Sequence, residues 1–542
     1  MSDWNFASVW ETIARQIPQS PALGHGKAKR TWSEFNERAN GIAQLLLNHG
    51  LSHQDKVAIY LFNRPEYLET LYACLKVSIV PINTNYRYGT SELQYLWDNA
   101  DASAVVFQAS FIEQVSELRD KLTQVKVWIW VSDDQSSQCP SWAIPYEESV
   151  QSLASINNAT GNVPRSGDDL IMLYTGGTTG MPKGVMWRQD DLFGVLNHGS
   201  LLRFPEDGTL DDVAAIVSGP GPVHLSACPL MHGTGCFTAF VALNSGGCVV
   251  TLESNTFYPE ELLDCVEQNG INVISLVGDA FAKPILEALD KNPNKWNLST
   301  LRIIVSSGVM FSEQSKQRLL KHHPAMLVVD AFSSSEAMGL GQSVSSAGGG
   351  AKTASFSIGE FAKVIDEDGN EIAPGSGKVG KLAVRGRTPI GYYKDPEKSA
   401  KTFPIIDGMR WSVPGDYATI DADGTVQVLG RGSQCINTGG EKVYPEEVEE
   451  ALKLHDSIQD AAVVGVPSDK YGEEIWALVQ MTDGESLDKE LLIKFVKTHL
   501  AGYKAPKNII AIDSIGRSPS GKIDYKKMKD TAISHLKSLS TK

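Results

Sequence analysis

The sequence lacks a long uninterrupted apolar run. Its most apolar stretch, residues 237–252, is interrupted by Asn244, Ser245 and a pair of glycines, so it is too short and too broken to span a bilayer. The first residues, Met-Ser-Asp-Trp, contain neither a basic nor an apolar signal-peptide region. We therefore expect no signal peptide and no transmembrane segment, and any membrane contact would be peripheral.

Cysteine is scarce and never closely paired. The seven cysteines are scattered along the chain, and no Cys-x-x-Cys pair occurs. Disulfide frameworks and zinc sites are built from cysteines at short, recurring spacings. The pattern is instead typical of reduced thiols, and it predicts a cytoplasmic location.

Basic residues are outnumbered by acidic ones. Lys and Arg total 49 against 64 Asp and Glu, which gives a formal net charge of −15. A broad nucleic-acid-binding face needs a basic surface, so no nucleic-acid partner is expected. A polyanion such as ATP is not excluded, because a few local cations and backbone amides suffice to bind it.

Internal repeats and low-complexity tracts are also missing, and the 542 residues exceed what one hydrophobic core usually supports. Strand-like and helix-like runs alternate in the first part of the chain, which predicts a mostly parallel sheet. The helix-like runs are 31–48 (with Ser33 as N-cap), 66–76 and 284–290, and the strand-like runs are 56–61, 77–82, 271–277 and 301–306.

The pattern changes near residue 355. Short strand-like runs separated by Gly, Pro and Asp predict a small β unit, and Gly430 to Ser433 read as a flexible junction. The last 110 residues or so predict a compact α+β module with a helix that begins at Pro445. We therefore predict an α/β plus α+β fold, with a large N-terminal domain at 1–431 and a small C-terminal domain at 432–542.

A glycine- and threonine-rich segment follows the strand-like run 170–175. Glycines let backbone amides approach phosphate oxygens, threonine hydroxyls add donors, and Lys183 adds positive charge. The pattern is not a Walker A loop, because Pro182 precedes the lysine and Gly184 follows it. An exposed turn is the alternative, but the composition favours a phosphate-binding loop formed by Gly176, Gly177, Thr178 and Thr179.

The segment 174–185, Tyr-Thr-Gly-Gly-Thr-Thr-Gly-Met-Pro-Lys-Gly-Val, resembles the signature loop of the adenylate-forming, AMP-binding superfamily in its acyl-CoA synthetase branch. The resemblance covers nearly the whole chain, with the motifs in family order. It implies a small mobile C-terminal domain and a two-step reaction that uses ATP, Mg²⁺ and CoA. A carboxylic acid first becomes acyl-AMP with release of pyrophosphate, and the thiol of CoA then takes the acyl group.

The resemblance also implies roles for residues around ATP. In the segment 330–336, Phe332 would stack on adenine, while Ser335 and Glu336 would meet phosphate and Mg²⁺; Thr175 would be a second metal contact. The family usually has Tyr-Gly-x-x-Thr-Glu here, so Phe332, Ser333 and Ser335 are departures. Further nucleotide contacts would come from Gly308 and Lys183, and from Asp416 and Arg431, which would hold the ribose.

Other positions would serve the acyl group, CoA and the domain motion. Lys522 resembles the adenylation lysine, which stabilises charge between the substrate carboxylate and the α-phosphate. His232 would line the acyl pocket, although a lone histidine is more often a packing residue. The resemblance further places Gly439, Gly440 and Lys442 along the pantetheine tunnel and the hinge at Gly432 and Ser433, where the family usually has Asp or Lys instead of serine.

The substrate is less well defined. Short strings at 184–188, 277–281 and 430–440 resemble synthetases that act on sterol side-chain acids, so we expect a medium- or long-chain fatty acid or a bulky sterol side-chain acid. Two alternatives stay open: transfer to a carrier-protein pantetheine, and a noncatalytic acyl or nucleotide sensor. A sensor would be expected to have lost the charged set, yet Lys183, Glu336, Asp416, Arg431 and Lys522 are all present. A homodimer is compatible with the sequence.

Overall fold

The structure is a computed structural model that describes residues 3–134, 137–153, 163–175, 181–309, 311–349, 352–438, 441–468, 471–518 and 521–540. The chain divides into two compact units. The large unit comprises Met1–Thr353 and Val384–Ser412, and the small unit comprises Ala354–Ala383 and Val413–Lys542. The domain boundary that the sequence predicts after residue 431 stays a prediction.

The first sheet of the large unit has eight strands: β3 (Lys56–Tyr60), β4 (Val80–Asn83), β5 (Ala102–Gln108), β6 (Val127–Val131), β7 (Ile144–Pro145), β8 (Leu170–Thr175), β9 (Lys183–Arg188) and β19 (Gly391–Tyr392). Their order is β19-β9-β8-β4-β3-β5-β6-β7. Strands β3 to β8 run parallel, whereas β9 and β19 are antiparallel additions. The mostly parallel sheet predicted from the alternating pattern is confirmed.

The second sheet of this unit contains β1 (Pro21–His25), β2 (Ala28–Thr31), β10 (Val223–Ser226), β11 (Cys248–Thr251), β12 (Val273–Leu276), β13 (Ile303–Ser307), β14 (Leu327–Ser334) and β15 (Ala337–Ser345). Their order is β2-β1-β11-β10-β12-β13-β14-β15. Only β2 and β15 are antiparallel to their neighbours within this set. A short hairpin of β20 (Ile405–Ile406) and β21 (Met409–Ser412) completes the unit.

Thirteen helices of the described residues cover these sheets: α1 (Phe6–Gln16), α2 (Trp32–Asn48), α3 (Pro65–Lys76), α4 (Thr90–Asn99), α5 (Ile112–Arg119), α6 (Tyr146–Leu153), α7 (Gln189–His198), α8 (Leu210–Ile216), α9 (Gly233–Asn244), α10 (Pro259–Asn269), α11 (Gly278–Lys291), α12 (Glu313–His322) and α13 (Pro396–Thr402). No helix that the structure describes combines the length and apolarity needed to cross a membrane.

Two helix starts differ from the predictions. The N-cap of α2 is Thr31, not Ser33, because Thr31 and Glu34 form a reciprocal capping box: Thr31 Oγ1 accepts from Glu34 N at 3.2 Å and Glu34 accepts from Thr31 N at 2.6 Å. Helix α11 begins at Gly278, and Pro284 lies inside it. Burial of Phe281, upstream of the proline, favours the longer helix.

Aromatic side chains fix the position of α9 within the large unit. Trp10 packs edge-on against Tyr72 and Phe240 at centroid distances of 5.2 and 5.3 Å, and all three rings are fully buried. Burying such a side chain contributes about 1.5–3 kcal/mol. Since α9 is apolar on nearly every face, this packing holds the helix in the core, and its first residue follows directly after His232.

The small unit contains β16 (Ser355–Ile358), β17 (Ala362–Ile365), β18 (Gly380–Arg385, which ends in the large unit), β22 (Asp416–Ile420), β23 (Thr425–Arg431), β24 (Ile436–Thr438), β25 (Glu441–Val443), β26 (Ile458–Ser468), β27 (Gly472–Met481) and β28 (Asn508–Ala511), together with α14 (Pro445–Lys453), α15 (Lys489–His499) and α16 (Tyr525–Ser540).

A five-stranded sheet is the centre of this unit, in the order β25-β24-β27-β26 with β28 parallel to β27. Both of its faces are buried: Val463 belongs to the core shared with α14 and α15, and Val464 belongs to the core shared with α16. The predicted helix start at Pro445 is confirmed. The predicted junction at 430–433 is the end of β23 followed by a 3-10 turn, Gly432–Gln434. The predicted α/β plus α+β fold class is confirmed.

Candidate active site

The base of the glycine-rich loop is a regular hairpin. Strands β8 and β9 pair antiparallel, and Thr175 lies directly opposite Lys183. The predicted phosphate-binding residues between them, Gly176, Gly177, Thr178 and Thr179, lie outside the described residues. The two described ends of the loop therefore present a hydroxyl and an ammonium at the same end of the sheet.

A buried amide connects this hairpin to the segment of His232. Asn83, at the end of β4, donates through Nδ2 to the carbonyls of Tyr174 at 2.8 Å and Met231 at 2.7 Å. Its Oδ1 accepts from Tyr174 N at 2.6 Å. Because every polar atom of this buried side chain is used, the end of β8 and the approach to His232 are held together.

His232 is half-buried and occupies the position directly before the first residue of α9. The next turn of this helix approaches Gly308: Thr234 Oγ1 donates to the carbonyl of Ser307 at 3.4 Å. Gly308 has φ of +91°, a left-handed conformation that glycine adopts without the strain of a side chain. The structure therefore brings His232, which is predicted to line the acyl pocket, and Gly308, which is predicted to contact the nucleotide, into one region.

The segment of Phe332, Ser335 and Glu336 forms the β14–β15 hairpin and its turn. Trp187, fully buried on β9, donates through Nε1 to the carbonyl of Ser335 at 2.9 Å. The carbonyl of Glu336 accepts from Ser412 Oγ at 2.5 Å. The bond from Trp187 joins the turn to the β8–β9 hairpin, and the bond from Ser412 joins it to β21. The predicted metal ligand therefore lies near the strand that carries Lys183.

Sequence reasoning missed two residues of this cluster. Tyr392 donates through its hydroxyl to Glu336 Oε1 at 2.9 Å, and Asp395 forms an ion pair with Lys183. The hydrogen bond from Lys183 lowers the pKa of Asp395. The Asp395-Pro396 pair signals only the start of a helix; its proximity to Lys183 follows from the nonlocal pairing of β19 with β9.

A second missed feature is a buried ion pair at the start of the predicted adenine segment. Lys316 Nζ on α12 lies 3.3 Å from Asp330 Oδ2 on β14, and both side chains are almost fully buried. Burial raises the pKa of Asp330 to about 6, and Lys316 opposes that rise. The pair anchors the strand that carries Phe332.

In the small unit, Asp416 and Arg431, which are predicted to hold the ribose, form an ion pair. Arg431 Nε lies 3.3 Å from Asp416 Oδ1, and the two residues are paired across β22 and β23. Gly415, with φ of +98°, makes the turn into β22. The carboxylate is buried, whereas the guanidinium is half-exposed.

Lys522 lies on an anchored loop and is exposed. Arg517 donates from Nε and Nη2 to both oxygens of Asp460 at 2.6 and 2.7 Å, and from Nη1 to the carbonyl of Gly521 at 2.9 Å. The backbone N–H of Lys522 donates to Ser518 Oγ at 3.0 Å. The backbone that carries the predicted adenylation lysine is therefore held against β26.

The remaining predicted residues follow β23 in the sequence. Gly439 and Gly440 lie outside the described residues, and Lys442 is paired with Asn437 across β24 and β25. Gly432 and Ser433 lie in the 3-10 turn after β23. The roles predicted for these residues in CoA binding and in the hinge stay predictions.

The acidic residues suit a nucleotide-bound magnesium ion. The described ranges contain no group of three or more His, Cys, Asp or Glu side chains that could hold a metal by themselves. Mg²⁺ is usually held by one or two carboxylates together with substrate phosphates. Glu336, with Lys183 in the same cluster, fits that mode of binding, and the predicted hydroxyl of Thr175 would add one more oxygen.

Comparison with known proteins supplies independent evidence. The family model described as "AMP-binding enzyme" matches residues 10–393, and "AMP-binding enzyme C-terminal domain" matches residues 447–522. A 3-oxocholest-4-en-26-oate–CoA ligase of Rhodococcus rhodochrous is 39% identical, over 97% of this chain and 95% of the relative. A medium/long-chain-fatty-acid–CoA/3-oxocholest-4-en-26-oate–CoA ligase of Mycolicibacterium smegmatis is 37% identical, over 97% of this chain and 96% of the relative.

Among solved structures, that of an anthranilate–CoA ligase in complex with anthranoyl-AMP superposes with a TM-score of 0.81. It is 18% identical and covers 98% of this chain and 97% of the other. At this identity the likeness shows the fold alone.

Proposed function

The chain belongs to the AMP-binding enzyme family, and we propose that it is an AMP-forming acid–CoA ligase that uses ATP, Mg²⁺ and CoA. The observation that carries this proposal is the cluster in which Tyr392 and Asp395 bring Glu336 and Lys183 together. A cation for phosphate and a carboxylate for a phosphate-bound metal ion are what activation of an acid by ATP requires.

The proposed first step is attack of a substrate carboxylate oxygen on the α-phosphorus of ATP. Pyrophosphate leaves, and acyl-AMP forms. Lys183 and the loop amides hold the phosphates, Phe332 stacks on adenine, and Glu336 would hold Mg²⁺ with the hydroxyl of Thr175. When bound, Mg²⁺ neutralises charge on the phosphate oxygens. Asp416 and Arg431 hold the ribose, and Lys522 stabilises the charge that develops between carboxylate and phosphate.

The proposed second step transfers the acyl group to sulfur. The thiol of CoA loses its proton and attacks the acyl carbon, and AMP leaves. The segment around Gly439, Gly440 and Lys442 borders the pantetheine arm, and the small domain, 432–542, reorients about Gly432 and Ser433 between the steps. Glycine at 432 supplies the backbone freedom that a pivot needs.

A large apolar acid is the proposed substrate class. Thr234, Thr238 and Val241 are half-buried on one face of α9, whereas the rest of this helix beyond its first residues is buried. That face begins beside His232 and Gly308, so it can line an acyl pocket. The names of the two relatives support a medium- or long-chain fatty acid or a sterol side-chain acid.

We also propose a cytoplasmic location and a homodimeric assembly. None of the seven cysteines, all of which the structure describes, forms a disulfide, which supports a reducing, cytoplasmic setting. A homodimer is the assembly to test by sedimentation.

The decisive experiment offers the purified protein ATP, Mg²⁺, CoA and a panel of acids that ranges from acetate to C16 fatty acids and a sterol side-chain acid. We expect pyrophosphate release and acyl-CoA formation with the large apolar acids. Pyrophosphate release without thioester on free CoA would favour a carrier-protein acceptor. Absence of acid-dependent pyrophosphate release across the panel would contradict the proposed function.

A further inference from the structure

Tyr392 contacts both Glu336 and Lys183, which carry opposite charges. Its hydroxyl donates to Glu336 Oε1 at 2.9 Å, and its ring centroid is 6.0 Å from Lys183 Nζ. The side chain is 4% exposed. A buried phenol that ends on a single carboxylate oxygen fixes the rotation of that carboxylate, because the bond restricts its terminal torsion.

The tyrosine itself is held from several sides. Its backbone pairs with Val185 on β9, its N–H donates to Ser399 Oγ at 2.8 Å, and its ring packs against Phe403 at 5.4 Å. Gly391, directly before it, is closely packed, since an added Cβ would lie 3.0 Å from Ser399 Oγ and would require that side chain to shift. The hydroxyl therefore occupies a fixed point relative to the β8–β9 hairpin.

Glu336 is restrained at its backbone as well. Its carbonyl accepts from Ser412 Oγ at 2.5 Å, and the carbonyl of the preceding Ser335 accepts from Trp187 Nε1 at 2.9 Å. With the main chain fixed, the remaining freedom is in the side chain, and the Tyr392 hydrogen bond acts there. The backbone and side-chain hydrogen bonds together fix the orientation of the Glu336 carboxylate.

We propose that Tyr392 is a positioning residue that orients the Glu336 carboxylate toward the magnesium ion of MgATP. The inference rests on the proposed function, in which Glu336 holds that ion. Few protein groups would share in ligating it, so the orientation of a single carboxylate has a large effect. Loss of an outer hydrogen bond to a metal ligand typically weakens metal affinity by about 10- to 100-fold.

The next residue provides a matched control. Tyr393 also ends in a hydrogen bond to a carboxylate, from its hydroxyl to Asp101 Oδ2 at 2.7 Å. Asp101 also pairs with Lys394, and neither residue is among the predicted contacts of ATP or Mg²⁺. Tyr392→Phe and Tyr393→Phe each remove one hydroxyl and keep the ring. Any difference between them in metal dependence therefore reports on Glu336.

The experiment measures equilibrium binding of ATP by calorimetry, once with excess Mg²⁺ and once in EDTA, without acid or CoA. The Kd in EDTA divided by the Kd with Mg²⁺ gives the contribution of the metal ion to binding. Tyr392→Phe is expected to lower this ratio about 10-fold or more and to change the Kd in EDTA less than about twofold. Tyr393→Phe is expected to leave both Kd values unchanged. Melting temperatures check that each variant is folded.

Glu336→Gln completes a double-mutant cycle. If Tyr392 acts through Glu336, the double variant loses no more metal dependence than Glu336→Gln alone. An unchanged ratio in Tyr392→Phe, an equal loss of affinity with and without Mg²⁺, or additive losses in the cycle would each overturn the proposal. Failure of the ligase proposal is separately visible, because it would appear as absent acid-dependent pyrophosphate release in the unaltered protein while the binding ratios still respond.

Discussion

Arg431 Nε lies 3.3 Å from Asp416 Oδ1, and the two residues are direct partners across β22 and β23. The guanidinium is half-exposed, and the carboxylate is buried at the start of β22. A carboxylate fixed in this way can accept both hydroxyls of a ribose. The two residues are 15 positions apart in the sequence. They come into contact because a short turn folds β23 back on β22.

Asp416→Ala should weaken ATP binding. A hydrogen bond to a charged group contributes about 1.5–3 kcal/mol, so the Kd for ATP should rise about 10- to 100-fold. Asp423→Ala, in the exposed turn of the same hairpin, is the control and should leave the Kd unchanged. Calorimetric titration checks both variants, and equal affinities would refute the ribose assignment.

Lys522→Ala should block the first step only. Loss of a charge-stabilising contact costs about 3–4 kcal/mol, enough to slow acyl-AMP formation several hundred-fold. Conversion of supplied acyl-AMP and CoA to thioester should continue. Pyrophosphate release measures the first step, and thioester formation measures the second. Lys526→Ala, at an exposed lysine nearby, is the control; normal pyrophosphate release in Lys522→Ala would contradict the mechanism.

Asp395→Asn should tighten ATP binding a few-fold. Asp395 competes with phosphate for Lys183 in the ligand-free protein, and a partly exposed ion pair of this kind contributes about 0.2–1 kcal/mol. Asparagine keeps the cap that Asp395 gives to Lys398 N, so α13 should remain intact. Asp101→Asn is the matched control. A weaker Kd for ATP in Asp395→Asn would show that the pair supports binding instead.

Lys316→Met should make stability strongly dependent on pH. Removal of the cation leaves the buried Asp330 unpaired, and breaking a buried pair costs about 3–5 kcal/mol at neutral pH. The pKa of Asp330 is already raised to about 6, above its unfolded value, so the folded state takes up the proton as pH falls. Because Lys316 holds this pKa down, Asp330 in the variant should take up its proton at a higher pH than in the unaltered protein, so the loss should be largest above neutral pH and shrink as pH falls toward 6.

Denaturant unfolding at pH 7.5 and 5.5 measures this effect. Lys321→Met, an exposed lysine of the same helix, should show little change at either pH. Lys316→Met combined with Asp330→Asn should recover much of the stability at pH 7.5, because no charge is then buried. A loss in Lys316→Met that is independent of pH would contradict the assigned ion pair.

Local patterns predicted most elements. The strand 170–175 was predicted with the bounds that β8 has, and the start of α14 at Pro445 was also correct. Errors occurred where two signals competed. Ser33 and Thr31 are both capping residues, and only the reciprocal bond with Glu34 decides between them. Pro284 is a local helix-start signal that the buried residues before it override.

In the candidate site, too, local patterns identify some residues and miss others. Order along the chain was enough to single out Lys183, Glu336, Asp416, Arg431 and Lys522, because their motifs are local and chemically distinctive. Tyr392, Asp395 and Lys316 could not be found in that way. Each acquires its significance from a partner far away in the sequence, through strand pairing or helix packing, and a tyrosine or lysine carries no local sign of such a partner.

By itself, the sequence determined that this chain alternates helices and strands and carries the charged residues typical of an AMP-binding enzyme, and it predicts a phosphate-binding loop. Those properties depend on residue type and short spacing. Only the tertiary structure decided that Tyr392 meets Glu336 and that Asp395 meets Lys183. The physical reason is that β19 joins the edge of the sheet beside β9, and such nonlocal pairing is selected by packing of the whole unit.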